Sequence, residues 1–129
     1  MEVKIDKALL DSLTEQASAS ERLRMNYDLR TSSADTSQRM LNALIPTTEV
    51  PIHRHEVTSE TVVCLCGKLE EIFYEETEGG QGFEEIARYL LCPAEGKYGI
   101  QIPKGVWHTI RVIEPSVIFE AKDGAYMSR

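Results

Sequence analysis

The sequence predicts an all-β protein, a single antiparallel sandwich or barrel behind a short N-terminal helix-and-strand extension. Three observations carry this. From Arg39 onward the chain is a series of short β-type runs broken by turn signals. No long helical pattern separates those runs. At 129 residues the chain can bury one core but not two ordinary ones.

The elements follow in order. Leu9, Leu10, Leu13 and Ala17 recur at helical spacing, and Asp6 is placed to cap that helix from about 6 to 17. A polar stretch follows, with one strand predicted around Met25 to Leu29. The extension therefore takes residues 1–38 and the barrel residues 39–129. The barrel runs are RMLNALI, VPIHRH, TVVCLCG, KLEEIFYEE, FEEIARYLL, YGIQI, VWHTIRVI and SVIFEAK. Gly67 is expected to turn TVVCLC into KLEEIFYEE with a positive φ. TEGGQG reads as a flexible hairpin loop.

Composition limits the function classes. Apolar residues make up 42% and charged residues 27%, the balance of a globular protein. The net charge is −7, with no cluster of Lys and Arg able to track a phosphate backbone. Nucleic acid and anionic membrane are therefore not expected partners. No apolar run approaches the roughly 20 residues that span a bilayer. The first residues are charged and amphipathic rather than signal-like, so a cytoplasmic location is the expectation. Cys64, Cys66 and Cys92 read as small buried hydrophobes in a reducing compartment. On a regular strand Cys64 and Cys66 would share one face, and a second Cys pair to complete a metal site is lacking.

The three histidines all fall in the β region. His53 and His55 are two apart, so on a strand both imidazoles project from one face. Glu60 lies past a polar stretch and can point into the same pocket if a turn intervenes. His108 follows the tight turn Pro103-Lys104-Gly105. Three imidazoles and one carboxylate suit one Mn, Fe, Co, Ni or Zn divalent ion, at about 2.0–2.2 Å. Open coordination positions on that ion could take water or a chelating substrate.

The spacings His-x-His-x4-Glu-x6-Gly from His53 to Gly67, and Pro-x-Gly-x2-His from Pro103 to His108, match the two motifs of the cupin superfamily. The resemblance implies a single cupin barrel, a double-stranded β-helix or jelly roll, with metal ligands His53, His55, Glu60 and His108. From about Arg22 to Tyr126 the chain further resembles the WbuC family of cupin-fold metalloproteins. SERLRMNYDLR, QRMLNAL, PIHRH, SETVVCLCGKLEEIFY, IQIPKGVWHTI and VIFEAKDGAY carry that resemblance. It implies a link to bacterial surface-polysaccharide metabolism, and so to a sugar. The chain departs from the pattern at Arg30, where many members have a histidine, and at Val112, where the second motif often ends in Asn.

Further candidates are weighed individually. Glu120 and Lys122 share a face of the last strand and could form a pocket ion pair or proton-transfer pair, or a solvated strand edge. Arg39 and Asn42 could bond a polar ligand or orient loops. Tyr126 could close the barrel mouth or anchor the tail, and Trp107 is expected to pack on the N-terminal extension. Three functions are open. They are a metal-dependent enzyme on a sugar (isomerase, epimerase or Fe-dependent oxygenase), a metallo-cupin that captures a small ligand unchanged, and a metal-independent epimerase, which the intact ligand spacing argues against. Exposed barrel edges make a homodimer plausible.

Overall fold

The computed structural model describes residues 2–124. Helix α1 spans Lys7–Ala19, and the Asp6 carboxylate caps it by accepting from the Leu9 amide at 3.0 Å. The strands are β1 (Arg24–Asp28), β2 (Ser37–Leu44), β3 (Glu60–Glu76), β4 (Phe83–Leu91), β5 (Gly99–Ile102) and β6 (Trp107–Asp123). All pair antiparallel in the order β1-β2-β6-β3-β4, with β5 also on β3. Tyr126, expected to close the barrel mouth or to anchor the tail, lies outside the described residues. Among the described residues no helix is long and apolar enough to cross a membrane.

Two strands are longer than the sequence predicts. TVVCLCG and KLEEIFYEE form one continuous β3, and VWHTIRVI and SVIFEAK one continuous β6. Both bend where Gly67 meets Pro115. A Cβ at Gly67 would lie 2.2 Å from the Pro115 carbonyl oxygen, and its φ is +94°. Gly67 thus has the predicted positive φ but acts as a bend within a strand, not as a turn between two. Pro115 offers no N–H to the ladder. The Ser116 hydroxyl repairs the gap, accepting from the Lys68 amide and donating to the Glu114 carbonyl. Across the bend β3 and β6 stay paired while their outer partners change, β3 trading β5 for β4 and β6 gaining β2, which wraps the sheet into a double-stranded β-helix.

Two apolar clusters result. One fills the barrel's interior with Leu44, Val62, Leu69, Leu91, Ile102 and Ile118 among others. The other lies outside, where Leu13 and Ala17 of α1 cover Leu41, Ala43 and Val117. The bulge in β3 splits the cysteines between these clusters. Cys64 faces the interior and Cys66 packs toward the helix, so they do not share the face that a regular strand predicts. Burial, followed by the neighbouring Cys66 thiol, pushes the Cys64 thiol up to about 12, consistent with its reading as a buried hydrophobe. Trp107 packs on Phe83, at 5.0 Å between centroids, and under the Arg54 guanidinium at 4.5 Å. It was expected against the N-terminal extension. Its strand instead turns that side toward the β4 end of the sheet.

Candidate metal centre

The two histidine segments are zipped together by backbone. The His53 amide donates to the His108 carbonyl at 3.0 Å, and the His108 amide returns the bond at 2.8 Å. The Gly105 amide, in the Pro103 turn, donates to the His55 carbonyl at 2.8 Å. Gly105 has φ +83°, which the tight turn needs. VPIHRH is otherwise not a strand, because its pairing is confined to the His53 bridge. Between the two histidines, Arg54 is held outward by Trp107 and by Glu56 at 2.8 Å. Both imidazoles are thereby left on the inner side.

One ring nitrogen from each of His53, His55 and His108 lies within 4.8 Å of the others. Ring centroids are 4.2 Å apart for His53 and His108, and 5.3 and 5.5 Å for the pairs with His55. Two rings are fixed from behind. His53 Nδ1 is 2.9 Å from the Pro51 carbonyl, and His108 Nδ1 is 2.9 Å from the Val106 carbonyl. A carbonyl only accepts, so each Nδ1 carries the proton and each Nε2 offers a lone pair to the pocket. This is the tautomer and support that metal-ligating histidines require.

Glu60 opens β3 as expected and reaches the same point. Its carboxylate oxygens lie 3.4 Å from His55 Nε2 and 3.9 Å from His108 Nε2. Burial alone would raise its pKa, but the imidazoles of His55, His108 and His53 outweigh burial and hold it below the usual carboxylate range. His55 Nε2 is buried without a well-aligned hydrogen-bond partner among the described residues. A divalent ion would satisfy that nitrogen and the carboxylate together, so the donor set fits the metal that the motif implies.

A cavity of about 330 Å³ opens over this cluster. Glu120 lines it, as does Asn42, while Arg39 does not. The Arg39 guanidinium is engaged by Asp35, at 2.9 Å, and by the Ser37 and Leu29 carbonyls, the loop-orienting role of its two readings. Burial and then Glu60 push Glu120 up to about 8, against the opposing pull of Asn42 and Lys122. Lys122 Nζ donates to the Gly124 carbonyl at 3.3 Å. Arg30 forms an ion pair with Asp28 at 3.0 Å, and Val112 sits in the barrel core.

Sequence reasoning missed Glu71 and the inward residues of β1. Glu71 is 1% exposed and faces the cavity. Burial first, then Glu60 and Glu120, raise its pKa well above the ordinary value. In sequence it is one of two adjacent glutamates in KLEEIFYEE, and only the pairing of Glu71 with Ile110 puts it inside. The alternation of Arg24, Asn26 and Asp28 was the available signal for the β1 wall.

Comparison with known proteins places the fold. Residues 5–83 match the family described as "Domain of unknown function (DUF6016)". No curated protein sequence matches the chain. Among solved structures, the cupin domain of Schizosaccharomyces pombe Cnp3 is similar at 11% identity and TM-score 0.60, over 81% of this chain and 67% of that one. An oxalate oxidase in complex with the substrate analogue glycolate gives 11% identity and TM-score 0.62, over 83% and 54%. The capsular polysaccharide assembling protein CapF from Staphylococcus aureus gives 19% and 0.64, over 84% of this chain and 28% of CapF. The chain thus spans about half of the oxalate oxidase and under a third of CapF. At these identities the likeness establishes the fold, a cupin barrel.

Proposed function

The chain belongs to the DUF6016 family, and from that premise we propose that it holds one divalent metal ion through His53, His55, Glu60 and His108 and binds a sugar-derived small molecule above it. The observation that carries this is the convergence of three imidazole nitrogens, two of them fixed through Nδ1, beside a buried carboxylate. A bound ion would supply Lewis-acid polarisation of a ligand hydroxyl or carbonyl. The protein's own part is to hold the ligand in the cavity, to exclude water with the apolar barrel beneath, and to present Glu120 for proton transfer. The resemblance to WbuC proteins and the likeness to CapF support a role in surface-polysaccharide metabolism. An Fe-dependent oxygenase is a narrower form of the same reading.

Elemental analysis of protein purified without added metal tests the first part. The expected metal-to-chain ratio is near one, and His53→Ala or His108→Ala should lower metal affinity by about 100-fold or more. A ratio near zero that reconstitution does not raise would overturn it. Capture without conversion is the second reading, favoured by Lys122, whose amine is engaged by the Gly124 carbonyl and is not among the groups lining the cavity. Any turnover of a bound sugar decides for the enzyme.

A further inference from the structure

One wall of the cavity has no part in holding a metal. Arg24 and Asn26 of β1 face inward, opposite Leu44 and Asn42 of β2, and Arg22 joins them from the turn before the strand. Arg30 is neutralised by Asp28, but among the described residues Arg22 and Arg24 have no carboxylate partner. Leu23, between them, has φ +56°, a left-handed backbone that a leucine rarely adopts. It is held there by its amide donating to the Ser20 carbonyl at 3.0 Å and its own carbonyl accepting from the Thr48 hydroxyl. A backbone of this kind persists only where the surrounding structure over-determines it.

Deeper on the same wall are two buried acceptors. Gln38 and Asn42 are 3% and 8% exposed, and the side-chain carbonyl oxygen of each lacks a donor among the described residues. A buried acceptor left unpaired is costly, and a ligand hydroxyl would satisfy it. Along β2 the cavity thus offers the arginines beside Leu44, then Asn42, and Gln38 further along the strand, with the histidines and Glu60 lining the same cavity. Its volume lies at the lower end of the range for small-molecule sites and suits one sugar-sized ligand.

We infer that the ligand is a small polyhydroxylated anion whose carboxylate or phosphate is held by Arg22 and Arg24 and whose hydroxyls are bound by Gln38 and Asn42. A guanidinium pair matches either oxyanion by charge and by its forked N–H geometry. The inference rests on the reading that this cavity, above the metal centre, is the functional one.

Calorimetric titration of metal-loaded protein with glucuronate, glucose 6-phosphate and glucose at neutral pH tests it. Either acid should bind at least about tenfold more tightly than glucose, and whichever binds better identifies the anionic group. The double variant Arg22→Gln/Arg24→Gln should lose about tenfold or more for that acid, with metal content and melting temperature unchanged. Equal binding of glucose, wild-type affinity in the double variant, or no binding of either acid would overturn the inference. The metal reading is tested separately by metal content on the same samples. Arginine-dependent acid binding by protein that neither purification nor reconstitution loads with metal would uphold this inference and sink that reading.

Discussion

The two faces of β2 differ sharply. Outward, Leu41 and Ala43 are fully buried beneath Leu13 and Ala17 of α1. Inward, Gln38, Met40 and Asn42 line the cavity, and two of these keep buried acceptors without donors. A small barrel normally does the reverse, with apolar residues inside and polar ones out. Here the helix supplies an outer core, so this end of the barrel can stay polar inside. Stability and binding are thus divided between opposite sides of one strand.

The largest effect should come from the position the two regions share. Gly67→Ala places a Cβ against the Pro115 carbonyl at a positive φ and should cost about 4 kcal/mol or more in chemical unfolding, with loss of metal binding. Wild-type stability in this variant would show that the bend does not hold the barrel together. Next, Leu41→Ala should cost about 2–5 kcal/mol while the folded protein keeps its full metal content. Asn42→Leu, one residue away on the inner face, should shift stability by less than about 1 kcal/mol, because the unpaired acceptor it removes offsets the lost bond to Glu120, which can protonate. Equal losses from the two would erase the distinction between the faces.

A pH dependence is confined to the cavity. The carboxyl of Glu120 titrates near 8 in the folded metal-free protein and near the ordinary 4.5 when unfolded. A group raised in this way contributes stability that is full below 4.5 and lost as pH rises toward 8. Metal-free protein should therefore lose stability over that window, and Glu120→Gln should flatten the slope. Glu71 acts in the same direction, so some slope should remain in the variant. An unchanged profile in Glu120→Gln would place its charge in solvent.

Much of this was legible in the sequence. The capped helix and β1 are local features found where their residues predict them, and the three histidines of the two spaced motifs come together. The failures came from long-range pairing. Gly67 and Pro115 look like ends of strands until they are seen opposite each other in two bending ones. The bulge that sends Cys64 and Cys66 to different clusters leaves no trace in TVVCLC. Glu71 and the β1 arginines are polar residues in polar stretches, and only the register turns them inward.

The histidines, rather than the cysteines, are proposed to hold the metal. X-ray absorption at the edge of the bound metal tests it most directly. The prediction is a shell of nitrogen and oxygen only, at about 2.0–2.2 Å, with the scattering of three imidazoles. A sulfur neighbour at about 2.3 Å, or fewer than two imidazoles, would contradict it.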